Sequence, residues 1–360
     1  MEKTVSFYTL GCRLNFSETG QIAQKFVDTG HKIVEFGEKS DVVFINTCTV
    51  TDSADSSCRN VIRKATKTSP HATVVVAGCY AQMNPEEIKK IKGVDLILGT
   101  SEKYKVFDYL EENKELQIKI DKSHDFWPAG ESALEDRTRA FLKIQDGCNY
   151  ICSYCIIPFA RGRSRAMPAI DALEEAKRVL EQGKKEIVLT GVNIGEYETN
   201  SGDKLSTLVE GLLKLPELKR LRLSSVEPNT MSDDLLEVLK SSPKSAHHFH
   251  LPLQSGDDDV LKLMKRKYTV EEYKNIVANI QRIFPESSFG ADIIVGHPGE
   301  TEEAFENTYQ LVSEMPLTHF HVFPYSKRQN TVSAKMEEHI QSVVKKERCK
   351  KLIELGEKKL

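Results

Sequence analysis

The sequence predicts an α/β protein in two parts, an N-terminal doubly wound parallel-sheet domain followed by a partial (β/α)6 barrel of the TIM type. Two observations predict this class. Continuous apolar segments of strand length alternate with amphipathic helical segments, which is typical of parallel sheets covered by helices on both faces. A segment of poor periodicity interrupts this alternation, which then restarts for six strand–helix units rather than the eight of a complete barrel.

The first part is assigned to residues 1–120 and ends with a predicted helix, "SEKYKVFDYLEENK". A linker is predicted at residues 121–137, where mixed charge, a proline and a glycine replace the periodic pattern. The predicted strands of this part are "TVSFYTL", "DVVFINT", "TVVVAG" and "VDLILG", and its helices lie in "NFSETGQIAQKFVDTG", "DSADSSCRNVIRKATKTS" and "NPEEIKKI".

The second part is assigned to residues 138–360 and contains the six units of the partial barrel. Its helices include "AIDALEEAKRVLEQG" and "TEEAFENTYQLVSEM", and the chain ends in a charged amphipathic helix. Catalytic groups of such barrels lie at the carboxyl ends of the strands, so the residues just after each strand are the candidates for function. The predicted strands are "AFLKIQDGC", "KEIVLTGVN", "LKRLRLSSVEP", "HHFHLPLQSG", "FGADIIVGHPG" and "THFHVFPYS".

Composition excludes several classes of protein. Hydrophobic residues make up 39% of the 360 residues and charged residues 29%, which is typical of a globular chain and not of a disordered one. No apolar run approaches the ~20 residues of a membrane helix, and the N-terminus lacks the pattern of a signal peptide. We therefore expect a cytoplasmic protein without a membrane partner. The net charge of −3 gives no general attraction to nucleic acid, so any RNA contact must come from local basic patches.

The spacing of three cysteines in "GCNYICSYC" is the sharpest chemical signal. Cytosolic reductants keep thiols reduced, so the eight cysteines point to metal or redox chemistry rather than to disulfides. Cys148, Cys152 and Cys155 follow the first barrel strand with C-x3-C-x2-C spacing, which suits a [4Fe–4S] cluster whose fourth iron stays open. A zinc knuckle is the alternative, but it needs a fourth ligand, and no further Cys or His lies close in sequence.

Three more cysteines each follow a predicted strand of the first part. Cys12, Cys48 and Cys79 are far apart in sequence, but the carboxyl ends of parallel strands share one edge of a sheet. We therefore expect the three thiols to converge on a second metal centre, although three inert buried cysteines would have the same sequence. Cys58 and Cys349 lie within helical patterns and are interpreted as structural.

The chain resembles the radical S-adenosylmethionine (SAM) superfamily in the Cys148 segment, and over its whole length it resembles the methylthiotransferase family. The phrases that carry the resemblance are "TLGCRLNFSE", "INTCTVT", "VVAGCYAQ", "KIQDGCNYICSYCIIPFARG", "LTGVNIG", "LPLQSG" and "DIIVGHPGETEE". "RTRAFLKIQDGC" and "FPYSKR" are most similar to the MtaB branch, which places a methylthio group on C2 of N6-threonylcarbamoyladenosine beside the tRNA anticodon.

The resemblance implies two [4Fe–4S] clusters and a division of labour between them. Cys148, Cys152 and Cys155 would hold the cluster at which one SAM is cleaved to a radical that removes the C2 hydrogen. Cys12, Cys48 and Cys79 would hold the auxiliary cluster, which takes a methyl group from a second SAM. An external electron donor such as flavodoxin or ferredoxin is implied as a partner. The two clusters must then face each other across one cavity, with the carboxyl edge of each sheet turned inwards.

Residues at the barrel strand ends are candidates for binding SAM. Glycine turns and small polar side chains there could approach the methionine end, the ribose and the adenine, while the aromatic residue before the third cysteine matches a position that packs near the adenine in this superfamily. Packing at the barrel end is the alternative for each. The candidates are Tyr154, Gly191, Asn193, Ser224, Ser225 and Gly296.

Two basic segments, "FARGRSR" and "KLMKRKY", are candidates for binding tRNA. Arginine can fork onto phosphate or stack on a base, and tyrosine can stack as well. A solvated helix face is the alternative for such charge runs. The target base lies in a loop, so we expect it to be splayed out of its stack. The candidates are Arg161, Arg163, Arg165, Lys265, Arg266, Lys267 and Tyr268.

The sequence departs from the family pattern in three places. The family commonly ends in a small RNA-binding TRAM domain, which is not expected within these 360 residues. The segment "RGRSRAM" is shorter than usual, and His297 replaces a commonly aromatic residue. Related functions remain as alternatives: the same chemistry on isopentenyladenosine in tRNA or on an aspartate of a ribosomal protein, or a non-catalytic iron–sulfur electron carrier.

Overall fold

A computed structural model of the chain describes residues 2–110, 116–120, 126–129 and 139–359. Of the predicted linker, residues 121–125 and 130–137 lie outside this described part, as does the end of the predicted helix "SEKYKVFDYLEENK". Within the described residues, no helix is both long and apolar enough to cross a membrane.

The N-terminal part is built on one sheet of six parallel strands, β1 to β6, in the spatial order β2-β1-β3-β4-β5-β6. Their bounds are β1 Thr4–Thr9, β2 Lys32–Val34, β3 Val42–Thr47, β4 Thr73–Gly78, β5 Leu96–Leu98 and β6 Gln117–Lys119. The helices are α1 Arg13–Asp28, α2 Asp52–Thr68, α3 Cys79–Met83, α4 Pro85–Lys89 and α5 Val106–Leu110, with a 3-10 turn at Glu102–Lys105. Separate hydrophobic clusters cover the two faces of the sheet, as expected for a doubly wound fold.

The four strands predicted from sequence are present, and β3 is buried at every residue because helices cover both of its faces. Two further strands, β2 and β6, were not predicted. Each has only three residues, lies at an edge of the sheet and carries exposed or half-buried side chains. Such short edge strands lack the continuous apolar pattern by which the central strands are recognised.

All six predicted barrel strands are present, and the fold class predicted from the sequence is confirmed. They form two parallel three-stranded sheets, β11-β10-β7 and β12-β13-β14, and backbone hydrogen bonds such as Val226 N to His250 O (3.0 Å) join these sheets. The long strands are β7 Arg139–Lys143, β10 Glu186–Thr190, β11 Arg220–Leu223, β12 His248–His250, β13 Ser288–Val295 and β14 Leu317–Pro324. A short antiparallel pair, β8 Gln145–Asp146 with β9 Arg165–Ala166, brackets the Cys148 loop.

The largest hydrophobic core lies between these strands and the helices that cover them. Helices begin where the sequence supplies caps: Ser232, Asp257, Thr269 and Thr301 each accept a hydrogen bond from a backbone N–H of the following turn. The helices are α6 Ile157–Arg161, α7 Ala169–Glu181, α8 Leu205–Leu213, α9 Asp233–Lys240, α10 Asp258–Leu263, α11 Val270–Ile283, α12 Glu302–Glu314 and α13 Ser342–Lys359.

The two parts meet at the carboxyl edges of their sheets. Helix α3, which begins directly after β4, packs against α6, which begins just after the Cys148 loop. Arg328, beyond the end of β14, donates hydrogen bonds to Thr49 Oγ1 (3.1 Å) and Asp52 Oδ1 (2.6 Å), beyond the end of β3. The expectation that the two edges face each other is therefore met.

Candidate metal centres

The first three candidate ligands lie at the carboxyl ends of three neighbouring strands. Cys12 caps α1 after β1, Cys48 follows β3 directly, and Cys79 is the first residue of α3 after β4. Burial and the neighbouring thiols of Cys79 and Cys12 raise the pKa of Cys48 to about 12. Cys12 is exposed, whereas Cys48 and Cys79 are buried, so this group of thiols is open to solvent on one side.

A glycine precedes two of these cysteines because the chain packs too closely there for any side chain. Gly11 has φ +100°, and a Cβ on it would lie 2.6 Å from Cys48 Cβ and 2.8 Å from Cys48 Sγ. Gly78 has φ +98°, and its Cβ would lie 2.4 Å from Asn46 Oδ1. Both positions require a backbone conformation that side chains rarely adopt. The Gly-Cys pairs thus let the chain turn sharply and bring a thiol to the sheet edge.

A buried network of charged residues lies beside Cys79 and joins the two parts of the protein. Arg161 Nη1 donates to Glu18 Oε1 (2.9 Å) and Asp146 Oδ1 (3.0 Å). Lys143 Nζ lies 2.9 Å from Glu18 Oε1 and 2.7 Å from Asp146 Oδ2, and Lys103 pairs with Glu18 as well. Burial alone would raise the pKa of Glu18, but the charges of Arg161, Lys103 and Lys143 hold it well below its usual range. The carboxylate of Glu18 therefore stays ionised although its side chain is fully buried.

The second set of candidate ligands lies on a loop that the β8–β9 pair closes. Cys148 N donates to Gly162 O (3.1 Å), and Cys155 N donates to Cys152 O (3.1 Å). Gly147 has φ +70°, and a Cβ there would lie 2.0 Å from Arg163 O, so only glycine fits this crossing. Burial raises the pKa of Cys148 and of Cys155 to about 12. The three thiols of Cys148, Cys152 and Cys155 are thus presented by one tightly bonded loop at the barrel mouth.

Neither cysteine set has the geometry of a site for a single ion. Among the described residues, the one set of three His, Cys, Asp or Glu ligand atoms that all lie within 4.8 Å of one another is formed by His248, His250 and His319. Tetrahedral zinc would hold its sulfur ligands roughly 3.8 Å apart. Three thiols with wider spacing fit a cuboidal iron–sulfur cluster better than a single zinc ion.

Unpartnered polar atoms mark the carboxyl ends of three successive barrel strands. Asn193 Oδ1 after β10, Ser224 Oγ after β11 and Gln254 Oε1 after β12 are buried and have no hydrogen-bond partner among the described residues. Each such atom costs about 1–3 kcal/mol unless a ligand or water satisfies it. Asn193 Nδ2 lies 3.8 Å from Cys148 Sγ, so the first of these three residues lies beside the cysteine loop. Its donors and acceptors fit a polar cofactor such as SAM.

Gln254 was not predicted as a site residue. It follows β12 in "LPLQSG" and has φ +64°, which is uncommon for a residue other than glycine. Its position beyond the end of a strand was the available signal, but its backbone conformation and its unpartnered oxygen are visible only in the structure.

The other predicted SAM contacts have structural partners, and their cofactor roles stay predictions. A Cβ on Gly191 would lie 2.7 Å from Gln145 Oε1, and Gly296 N donates to Glu300 Oε1 (2.9 Å). Tyr154 packs beside Val260, Met264, Ile294 and Ala304. Ser225 is half-buried.

The structure buries the side chains of three of the seven predicted RNA contacts, which have partners inside the protein. Arg161 is 1% exposed within the charged network, and Tyr268 donates its hydroxyl to Pro252 O (2.7 Å) inside the barrel core. Arg266 pairs with Glu227, and its Nη1 lies 3.2 Å from Cys152 Sγ, where it supports the cysteine loop instead of facing solvent. Their partners are distant in sequence, so the local basic pattern could not reveal their burial.

The remaining four candidates differ in exposure. Arg163, Lys265 and Lys267 are exposed, and Lys267 Nζ lies 3.8 Å from the ring centre of Tyr150. Arg165 is half-buried and donates to Arg161 O (2.7 Å). The exposed three stay predictions as contacts with RNA.

His297 braces the Cys148 loop from inside the barrel domain. It is fully buried, its Nδ1 lies 2.9 Å from Pro298 O, and its Nε2 lies 3.1 Å from Ser153 Oγ between two of the cysteines. Since a carbonyl can only accept, Nδ1 carries the proton and Nε2 accepts from the serine hydroxyl. Burial lowers the pKa of His297 to about 4, so this imidazole stays neutral.

This buried imidazole predicts a loss of stability in mild acid. The unfolded chain binds a proton at His297 below about pH 6.5, whereas the folded chain does so only near pH 4, so stability falls as the pH falls between these values. We expect His297→Phe to abolish about 2 kcal/mol of the stability that the protein loses between pH 7 and pH 5. Urea unfolding of the iron-free protein at both pH values measures this difference. Equal losses in both proteins would contradict the assignment.

Comparison with family models divides the chain into two matching regions. Residues 142–312 match the Radical SAM superfamily, and residues 4–99 match Uncharacterized protein family UPF0004. The first region contains the Cys148 loop and the unpartnered polar atoms, and the second contains Cys12, Cys48 and Cys79.

Curated relatives match nearly the whole chain. A protein named threonylcarbamoyladenosine tRNA methylthiotransferase MtaB from Bacillus subtilis is 41% identical over 98% of this chain and 80% of its own length. A protein of the same name from Aquifex aeolicus is 41% identical over 99% of this chain and 88% of its own. A protein named tRNA-2-methylthio-N(6)-dimethylallyladenosine synthase from Acetivibrio thermocellus is 36% identical over 98% of this chain and 76% of its own.

Solved structures share the fold at low sequence identity. The radical SAM methyltransferase TsrM from Kitasatospora setae matches with a TM-score of 0.64 and 14% identity. The match covers 90% of this chain and 75% of the TsrM chain. The cobalamin-dependent SAM radical enzyme OxsB matches with a TM-score of 0.63 and 13% identity, covering 99% of this chain and 56% of its own. These solved structures resemble the chain in fold alone.

Proposed function

Because this chain belongs to the radical SAM methylthiotransferase family, we propose that it places a methylthio group on C2 of N6-threonylcarbamoyladenosine at position 37 of tRNA. The observation that carries the proposal is the pair of cysteine sets, which lie on two sheet edges that face each other. One set lies within the region that matches the radical SAM superfamily, and the other lies on the domain that the relatives share.

The chemistry requires cofactors that these residues suit. An aromatic C2–H bond is too inert for acid–base catalysis, and two clusters and SAM, when bound, would supply the radical and the methylthio group that the reaction needs. Cys148, Cys152 and Cys155 would hold the [4Fe–4S] cluster of the radical SAM region. Cys12, Cys48 and Cys79 would hold a second cluster. An external reductant such as flavodoxin or ferredoxin would supply electrons.

The protein's own contribution is to bind, orient and shield. Asn193, Ser224 and Gln254 would bind the polar groups of SAM, since their buried atoms lack partners. Burial raises the pKa of Cys152, and the positive charge of Arg266, 3.2 Å from its Sγ, acts against that rise and so favours the thiolate form that ligates iron. The network around Glu18 would fix the separation of the two cysteine sets, because it joins α1 to the segment after the Cys148 loop.

Recognition of tRNA would rely on exposed cations near the barrel mouth. Arg163 follows the cysteine loop, and Lys265 and Lys267 lie beside Arg266, which contacts that loop. These side chains could pair with phosphates around the anticodon loop while base 37 is splayed into the space between the two sheet edges. The proposed site of action is the cytoplasm, where tRNA is modified.

The similarity to a dimethylallyladenosine synthase makes isopentenyladenosine the second candidate base. Expression of the chain in a bacterial strain that lacks its own tRNA methylthiotransferases, followed by mass spectrometry of total tRNA nucleosides, separates the two. We expect 2-methylthio-threonylcarbamoyladenosine to be restored, and a matched Cys148→Ala variant to restore nothing. If only isopentenyladenosine were methylthiolated, the substrate would be that base and not threonylcarbamoyladenosine. No product on either base would leave an aspartate of a ribosomal protein as the substrate to test.

A further inference from the structure

Two His-Phe-His sequences lie on strands β12 and β14 of the second barrel sheet. Successive side chains of a strand point to opposite faces, so each sequence presents two imidazoles on one face and a phenylalanine on the other. Phe249 is buried in the main core, and Phe320 packs against that core. The imidazoles of His248, His250 and His319 therefore share the opposite face of the sheet, which is the inner face of the partial barrel.

The strand between them allows these imidazoles to meet. Gly290 of β13 pairs with His250 on one side and His319 on the other. A Cβ on Gly290 would lie 2.7 Å from His250 Nδ1 and 2.7 Å from His319 Nε2. Strands two places apart are separated by roughly 9.6 Å, so side chains from β12 and β14 can approach each other only above a residue that has no side chain.

A polar neighbour orients each imidazole through one ring nitrogen. His250 Nε2 lies 3.1 Å from Asp292 Oδ2, and His248 Nδ1 lies 2.8 Å from Ser288 Oγ. His319 Nδ1 lies 3.4 Å from Thr318 Oγ1. Each contact leaves the other ring nitrogen available to a ligand. A carboxylate that fixes one nitrogen of a histidine is the usual support of a metal-bound imidazole.

The surroundings of His248 and His319 favour the neutral imidazole, which is the form that ligates metals. Burial, His319 and Arg222 lower the pKa of His248 to about 4, and burial together with His250 and His321 lowers that of His319. Arg13 of α1 also acts on both, while Asp292 acts in the opposite direction on His319. The charge of Arg222 is offset by Glu186, whose Oε1 lies 3.2 Å from its Nε.

We propose that His248, His250 and His319 bind one divalent transition-metal ion of the zinc type, at a site separate from both cysteine sets. Their three ligand atoms all lie within 4.8 Å of one another. Tetrahedral zinc at about 2.0–2.1 Å from two imidazole nitrogens would hold the ring centres roughly 5 Å apart. The ring centres of His248 and His319 are already 5.1 Å apart, but the rings are stacked with planes 15° apart, so at least one ring would turn to aim its nitrogen at the ion.

Binding would draw the third histidine inwards. The ring centre of His250 lies 6.1 Å from that of His319, so it would move by about 1 Å to reach the ion. His321 is exposed, and its ring centre lies 6.0 Å from that of His250, so it is available as a fourth ligand. The ion would tie β12 to β14 across β13.

Metal analysis and zinc K-edge absorption spectroscopy test the site in the cluster-loaded protein. Both cysteine sets are first filled anaerobically with iron and sulfide, so that thiolates do not compete, and one equivalent of zinc sulfate is then added before desalting. We expect about one zinc per chain, with nitrogen or oxygen ligands at about 2.0–2.1 Å. No retained zinc, or sulfur ligands at about 2.3 Å, would overturn the proposal.

Variants identify the ligands. His248→Gln and His319→Gln should each lose the zinc, and Asp292→Asn should weaken its binding by 10–100-fold because it removes the orienting carboxylate. His247→Gln is the matched control, since His247 directly precedes β12 but is exposed and lies outside the set. Melting curves without zinc establish that each variant folds. Zinc should then raise the melting temperature of the wild type and of His247→Gln but not of His319→Gln, and an equal rise in all three would also overturn the proposal.

Discussion

Replacing Arg161 with leucine is expected to destabilise the protein by about 3–5 kcal/mol, the usual cost of removing one partner from a buried ion pair. The guanidinium donates to Glu18, Asp146 and Asn15, and its side chain is 1% exposed. Leucine would leave the amide oxygen of Asn15 and the oxygens of Glu18 short of donors in a site that water does not reach. Because Glu18 belongs to α1 and Arg161 follows the Cys148 loop, the loss should appear first as separation of the two parts of the protein.

The single tryptophan provides the measurement. Trp127 packs against Tyr104 with ring centres 5.2 Å apart, and the hydroxyl of Tyr104 lies 3.3 Å from Lys143 Nζ in the same network. Its emission during urea unfolding therefore follows the junction of the two parts. Arg163→Leu is the matched control, since Arg163 is exposed two residues away and should change stability by at most about 0.5 kcal/mol. Similar losses in both variants would mean that the network does not hold the junction.

Replacing Cys79 with alanine is expected to abolish methylthiolation while the formation of 5′-deoxyadenosine from SAM continues. The physical reason is that Cys79 lies on the N-terminal sheet edge, whereas the radical SAM region has its own three thiols on a separate loop. After anaerobic reconstitution, the iron content should fall from about eight to about four per chain, since each cuboidal cluster contains four irons. Iron analysis measures the loss of one cluster, and assays of 5′-deoxyadenosine and of the methylthiolated nucleoside show whether only the second product is lost.

Cys58→Ala is the control for this prediction. Cys58 is a neighbouring buried thiol that donates to Cys48 O (3.3 Å), and it is not one of the proposed ligands. It should retain about eight irons and both activities. If Cys79→Ala retained eight irons, or if Cys58→Ala lost four, the assignment of ligands on this sheet edge would be wrong.

The strand pattern and the rules of sheet topology were sufficient to predict that three of the cysteines lie at one edge of the N-terminal sheet. Cys12, Cys48 and Cys79 follow strands that are parallel neighbours, and a parallel sheet brings such positions to one edge whatever their separation in sequence. The cysteine set of the Cys148 loop was still easier to predict, because its three cysteines lie within a stretch of eight residues. These are features that local sequence and a general topology determine.

The burial of side chains whose partners are far away in sequence could not be predicted. Arg161 is 143 positions from Glu18 in sequence, so nothing near "FARGRSR" indicates that its first arginine is buried while Arg163 is exposed. The same holds for Arg266, which pairs with Glu227 from a different strand end. The histidine cluster could be predicted only in part. Its two His-Phe-His sequences are visible in the sequence, but the imidazoles can approach one another only because Gly290 lies between their strands.

The most direct test of the account is an assay with purified components. The reconstituted protein is incubated with SAM, a reductant and either of two tRNA preparations, one carrying threonylcarbamoyladenosine and one lacking the threonylcarbamoyl group, and nucleosides are analysed by mass spectrometry. The account predicts 2-methylthio-threonylcarbamoyladenosine from the first preparation, with 5′-deoxyadenosine formed alongside it, and no methylthiolated base 37 from the second. Formation of 5′-deoxyadenosine with no methylthio product on the first preparation would contradict it.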